Sequence, residues 1–295
     1  MDVTRVPPAL LQGAGQIIKG KESFLQYLIT VLLAGGHVLL EDLPGLGKTT
    51  VAKTLSHLIA DKDGSFLAFK RIQFTPDLLP YDITGVDIFD PDLHSFRFVP
   101  GPIFANLILA DEINRTTPKV QSALLEVMAE QQVTVGSVTR PVPTPFMVIA
   151  TQNPVESEGT FPLPAAQLDR FMMRLSLGYP HKDAELEILE TNPSELSLVH
   201  LKPVISVDEL IQARAMVEQV FCHPGLKEAI VDLARATRSH TEIRLGASPR
   251  SGIYLQQAAK ARALYEGRNF VLPEDVEALA KPVLAHRLVL ASQSR

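Results

Sequence analysis

The stretch EDLPGLGKTT, residues 41–50, constrains this chain more than any other. From Gly47 onward it satisfies every fixed position of the phosphate-loop pattern G-x-x-x-x-G-K-[ST], but Asp42 stands where the pattern asks for its first glycine. Upstream, HVLLE is an apolar run of strand length. Downstream, TTVAKTLSHLIA carries Val51, Leu55, Leu58 and Ile59 at helical spacing. A strand that turns through glycines into a helix leaves unpaired amides at the helix N-terminus, and those amides attract anions. Gly45, Leu46, Gly47 and Thr50 are therefore read as the backbone cradle of a bound nucleotide. Lys48 would reach its β- and γ-phosphates, and Thr49 would place a hydroxyl on Mg²⁺. A carboxylate about 4 Å from a phosphate charge costs about 4 kcal/mol at an effective dielectric near 20. The Asp42 side chain is expected to turn away.

A second apolar strand, in NLILADEINR, ends in Asp111 and Glu112. Many buried strands end in an acid, so the pair carries weight only beside the loop. Asp111 would hold the Mg²⁺ shell and Glu112 would orient the attacking water, because phosphoryl transfer leaves the protein mainly positioning and charge stabilisation. Acids at both places point to water as acceptor, although a kinase remains open. In FMVIATQNPV the strand stops at Thr151 and Asn153 follows, able to touch the water or the γ-phosphate; an Asn-Pro turn explains that residue equally well in isolation. Arg170 and Arg174 lie in AAQLDRFMMRL, and Arg250 in GASPRS.

Up to about residue 178, short apolar runs alternate with helical patterns, the signature of a parallel α/β sheet. The strand candidates are His37–Glu41, Arg71–Phe74, Asn106–Ala110, Phe146–Ala150 and Arg174–Leu177. Residues 179–204 carry Pro180, Pro193 and Pro203 and read as a linker. From about residue 205 only helical periodicity remains. Leu210, Ala213, Val217, Val220 and Phe221 form one stripe, and Leu226, Ile230, Leu233 and Ala234 another. Pro273 with Glu274 and Asp275 marks a helix start. The expected architecture is an αβα sandwich over residues 1–178, the linker, and a helical lid over 205–295.

Charge and cysteine usage exclude several classes. The net charge is -5, a poor balance for sequence-independent nucleic-acid binding. A single cysteine, Cys222, excludes an intramolecular disulfide and fits a reducing compartment, so the cytoplasm is expected. Cys222 itself reads as a small buried hydrophobe on a helix. The apolar run over 28–40 is broken by Thr30, Gly35, Gly36 and His37, and is shorter than the roughly 20 residues that span a bilayer. The histidines lack ligand spacing, so the one metal implied is the Mg²⁺ that accompanies ATP.

Taken in order, PGLGKT, LILADE, ATQNP, LDRF and GASPR resemble the AAA+ ATPases, and in detail the MoxR family. The resemblance runs from about residue 15 to the C-terminus, and stretches such as RIQFTPDLLPYDITG and EQQVTVGSVTRPVPTPFMVIATQNP match as well. It implies ATP hydrolysis, with Lys48 and Thr49 in Walker A, Asp111 and Glu112 in Walker B, and Asn153 as sensor 1. Arg170 matches the arginine finger that reaches a neighbour's site, with Arg174 as fallback, and Arg250 matches sensor 2. In this clade, with its insert in helix 2, Arg250 is open to acting on its own or on the next subunit's nucleotide. IIKGKESF stands where relatives carry a Val-Gly-Gln-like adenine contact. Lys19 and Lys21 depart from that pattern, leaving main chain at Ile18 and Gly20 to serve.

Family members assemble as rings, usually hexamers, and remodel or activate a client protein, often with a separate von Willebrand A-type partner. A nucleic-acid motor and a magnesium-chelatase subunit share the clade. The motor is disfavoured because the stretch 131–145 offers only Arg140 as a basic residue, and the insert carries Asp87, Asp90 and Asp92 against one arginine.

Overall fold

Near-continuous apolar runs build the interior strands of a parallel sheet, because both of its faces are covered. The computed structural model describes residues 3–92, 94–154, 159–191, 198 and 200–291. After helices α1 (Val6–Gly15) and α2 (Glu22–Leu33) come strand β1 (Val38–Glu41), helix α3 (Lys48–His57), the short β2 (Ile59–Ala60) and β3 (Phe69–Gln73). Helix α4 (Pro80–Thr84) leads into an antiparallel hairpin, β4 (Gly85–Asp90) and β5 (Ser95–Pro100). Then follow β6 (Leu107–Asp111), α5 (Pro118–Glu130), a second hairpin of β7 (Gln132–Val135) and β8 (Val138–Pro141), and β9 (Met147–Gln152). Helix α6 (Ala165–Leu168), β10 (Met173–Leu175) and α7 (Lys182–Thr191) complete this part.

The five-stranded sheet has the order β10-β1-β9-β6-β3, and every pairing in it is parallel. All of β6 is buried, whereas the edge strand β3 exposes Lys70, Arg71 and Gln73. Neither neighbour of β1 is adjacent to it in sequence. The loop after β1 therefore emerges over the crevice at the carboxyl ends of the strands, where open α/β sheets bind ligands. The expected strands all appear, with ends displaced by one or two residues. Buried His37 holds this layer together. Its Nδ1 accepts the Val148 N–H at 3.0 Å and its Nε2 lies 3.1 Å from the Met128 carbonyl. Burial pushes its imidazole down to about 4, so it stays neutral.

Four helices follow: α8 (Val207–Gln219), α9 (Pro224–Ser239), α10 (Pro249–Tyr265) and α11 (Pro273–Leu284). Helix α10 packs on α2 and α8, and α11 packs on β10, so the lid is docked on the sheet layer. Leu210, Ala213, Val217, Ile230 and Ala234 are buried as their spacing requires.

Several expectations need correction. Phe221 and Leu233 are exposed, because the chain leaves α8 after Gln219 and the buried arc of α9 is narrow. Cys222 is buried but lies in the loop between those helices. Helix α3 ends at His57, and Ile59 instead opens β2, which pairs with Ile205. The stretch 179–204 is not a plain connector, since α7 occupies much of it; Pro193 lies outside the described residues.

The two hairpins touch. The Arg140 guanidinium stacks 3.9 Å from the Phe98 ring centre and pairs with Asp87 at 3.5 Å. Ile88, Phe89 and Phe96 are exposed on the first hairpin.

Candidate active site

The loop after β1 turns through Gly45 at φ 83° and Gly47 at φ 85°. A Cβ at either position would meet no atom within 4 Å, so these glycines serve backbone conformation rather than space. Gly47 caps α3, and the free amides of that helix's first turn, from Lys48 onward, face the crevice. Lys48 Nζ donates to the Asp42 carbonyl at 2.9 Å, folded back over the loop.

Asp42 does turn away. Its carboxylate, 5% exposed, accepts Ser176 Oγ at 2.7 Å, Leu177 N–H at 2.6 Å and Gly178 N–H at 3.1 Å. The residue that breaks the loop pattern thus binds the segment after β10 to the phosphate loop. The carboxylate is directed to three donors of that segment rather than into the loop.

Across the crevice, strand register brings the acids forward. Thr151, at the end of β9, donates its hydroxyl to Asp111 Oδ1 at 2.6 Å and accepts the Glu112 N–H at 2.8 Å. Glu112 has φ 58°, a left-handed turn uncommon for a residue with a Cβ, which stores strain on the order of 1–3 kcal/mol. That turn breaks the strand course directly after Asp111. Three side chains absent from the sequence assignment hold these acids. Arg71 donates to Asp111 Oδ2 through Nε at 3.0 Å and a terminal nitrogen at 2.6 Å. Gln73 donates to Glu112 Oε2 at 2.8 Å, and Arg115 does so at 2.9 Å. Arg71 and Gln73 sit two apart on β3 and so share a face. That alternation was visible in RIQF; its place beside β6 was not.

Gly45, Gly47, Lys48, Thr49, Asp111, Glu112 and Asn153 line one cleft of about 260 Å³, together with Arg71 and Gln73. A second, more apolar hollow of about 550 Å³ shares Gly45 and Gly47 with it and reaches Leu46, Thr50, Ile18, Tyr179 and Ile188. The pair has the shape of a phosphate end and a base end. Gly20 lies outside the second hollow: a Cβ there would stand 2.7 Å from Ala184 Cβ, and φ is 65°, so both close packing on α7 and the backbone turn call for glycine. Lys19 pairs with Glu187 at 2.9 Å and Lys21 donates to the Tyr179 carbonyl at 2.7 Å, fixing that wall.

The arginines part company. Arg174 pairs with Glu41 of its own β1 at 2.9 Å. Arg170 and Arg250 do not line the cleft. Arg170 donates to the Leu125 carbonyl of α5, and Arg250 is exposed in the first turn of α10.

A phosphate loop opposite two consecutive acids at the end of β6, under a docked helical lid, defines a P-loop ATPase of the AAA+ class. Residues 37–173 match the model of the ATPase family associated with various cellular activities (AAA), and residues 235–295 match an AAA lid domain. The chain is 46% identical to the uncharacterized protein YeaC of Bacillus subtilis, over 95% of this chain and 86% of that one. It is 40% identical to chaperone MoxR1 of Mycobacterium tuberculosis, over 93% and 73%. A crystal structure from Cytophaga hutchinsonii, provisionally described as an ATPase, is similar at TM-score 0.87 and 39% identity, covering 99% of this chain and 89% of that one. The chain belongs to the MoxR family of AAA+ ATPases.

Proposed function

We propose that this ATPase works as a ring, usually of six copies, in which each cleft is completed by the neighbouring copy. The observation that carries the reading is the division of residues: Lys48, Thr49, Asp111, Glu112 and Asn153 share one cleft, while Arg170 and Arg250 lie outside it. On this reading Lys48 leaves the Asp42 carbonyl for the terminal phosphates, and the amides behind Gly47 take the oxygens. Glu112, released from Gln73 and Arg115, orients the attacking water, with Asn153 beside it. Arg170 of one copy stabilises charge at the next copy's terminal phosphate, and Arg250 acts on that same nucleotide.

The residues present fit Mg²⁺. Thr49 and Asp111 are hard oxygen donors, few enough to suit an ion that keeps waters and phosphate oxygens. A cation, the Arg71 guanidinium, already rests on Asp111 Oδ2. When bound with ATP, the metal neutralises phosphate charge.

The work done is the remodelling or activation of a client protein, with a separate von Willebrand A-type protein as partner. Chaperone is also the printed description of the Mycobacterium relative. Nucleic acid is disfavoured as client because Arg140 is engaged by Phe98 and Asp87. No helix among the described residues is long and apolar enough to cross a membrane. Lone, buried Cys222 suits the cytoplasm.

Mixing an Arg170→Ala copy with a Lys48→Ala copy tests the shared cleft. Neither turns ATP over alone, and the mixture regains turnover. A mixture that stays inactive while both copies fold and associate ends the proposal. A Glu112→Gln copy locked with ATP should retain the client on affinity capture.

A further inference from the structure

One carboxylate joins the loop that carries Arg170 to the helix start that carries Arg250. Asp169 Oδ1 accepts Arg287 Nε at 2.8 Å, and both of its oxygens lie 3.0 Å from the Ser248 hydroxyl. Ser248 is the N-cap of α10, whose first turn includes Arg250. Arg287, 3% exposed, also donates to the main-chain carbonyls of Asp169 and Met172, each at 3.3 Å, and to that of Phe171. Its guanidinium lies 5.2 Å from the Tyr254 ring centre, and the Tyr254 hydroxyl donates to the Arg170 carbonyl at 3.5 Å.

A charge buried as deeply as Arg287 is costly unless paired, so Asp169 is bound to it by more than geometry. The main chain on both sides of Arg170 is thereby fastened to the lid. Its side chain is not: among the described residues one hydrogen bond, to the Leu125 carbonyl, holds it, a contact that a stronger acceptor can replace. The arrangement is a stiff mount with a releasable tip.

We propose that Asp169 is the positioning residue that fixes Arg170 and Arg250 at one spacing, so that a subunit offers both arginines to the next cleft as a single unit. The lid and the arginine-bearing loop then move together, and a shift of the lid changes what the neighbour receives. This rests on the shared-cleft reading above.

The test separates giving an arginine from receiving one. Mixed with Arg170→Ala copies, Asp169→Asn copies must donate. Mixed with Lys48→Ala copies, they must accept. The second mixture should turn over as wild type does with Lys48→Ala, whereas the first should fall by about 10²-fold, the scale of a group misplaced by roughly 1 Å. Equal loss in both mixtures marks a merely structural residue and overturns the proposal, as does no loss in either. If Arg170→Ala with Lys48→Ala gives no turnover, the shared cleft itself fails and takes this inference with it. Because Asp169→Asn leaves Arg287 without a counter-ion, Ser248→Ala provides the second arm: it keeps that ion pair and cuts the tie to α10, together with the cap on the Ser251 N–H, which Ser248→Asn, able to cap, controls for. Ser248→Ala should show the same donor-only defect, and a Ser248→Ala copy that donates as wild type sinks the proposal even if Asp169→Asn does not fold.

Discussion

The cleft and the arginine-bearing face satisfy their charges in opposite ways. In the cleft, Lys48, Arg71 and Arg115 each reach an acceptor on the same chain: the Asp42 carbonyl, Asp111 and Glu112. Those contacts hold the acids and the lysine in place before any phosphate arrives. On the other face, Arg170 rests on a neutral carbonyl and Arg250 is exposed, while the rigid pairing is one step removed, in Asp169 and Arg287. On the shared-cleft proposal, a pocket is kept quiet by internal partners, and a presented group is kept ready by stiff mounting and a tip held by a neutral acceptor.

The largest effect that would break this contrast is at the outer face. Arg170→Ala should lower turnover by about 10³–10⁵-fold, the range of a finger supplied in trans, while ATP affinity measured by fluorescence titration stays near wild type. An equal loss of ATP affinity would assign Arg170 to the cleft after all.

Inside the cleft, Glu112→Gln should lower turnover by about 10²–10⁴-fold, as removal of a group that handles the water's proton does. Binding should persist, and single-turnover kinetics would show the chemical step to be the one slowed. A variant with unchanged turnover would reduce the chain to a nucleotide-gated scaffold.

Asp42→Ala sharpens the comparison from the structural side. Ser176, Leu177 and Gly178 lose a buried charged acceptor, and unfolding stability should fall by about 3 kcal/mol. The denaturant midpoint reads this, and a wild-type midpoint would show that the tie between the β10 segment and the loop carries no weight.

Within a pH unit of neutrality the smallest effect is a pH dependence. Burial pushes His37 down to about 4, and burial with the Arg287 charge beside it pushes His286 down to about 3, both below the free value of 6.5. Each is neutral in the folded chain and takes up a proton on unfolding. This costs the fold nothing above pH 6.5 and lowers its stability as pH falls toward 4, by about 1 kcal/mol per histidine for each pH unit. His37→Gln should flatten part of that slope in urea titrations.

The sheet was legible because its strands carry their own periods. VLLE, LILAD and MVIAT are apolar up to their last residue, as strands covered on both faces are, and turn signals bound them. The phosphate loop was legible because glycine at Gly45 and Gly47 answers a local backbone demand. The two helical stripes reach too far, at Phe221 and at Leu233, because periodicity marks the centre of a buried arc but neither its width nor where the chain leaves the helix. Gly20 lies outside the more apolar hollow and packs closely on α7, a helix the prolines had hidden.

By itself the sequence determined the order of elements, the loop, the acids at the strand ends and the direction in which Asp42 had to turn. Each follows from interactions among residues near one another in the chain, or from a charge that has one tolerable orientation. The tertiary structure alone decided that Arg71 and Gln73 hold Asp111 and Glu112, that Arg174 pairs with Glu41, and that Asp169 ties Arg287 to Ser248. Those contacts join residues far apart in sequence, and strand order and lid docking choose them; a short-range pattern carries no information about which distant side chain stands opposite.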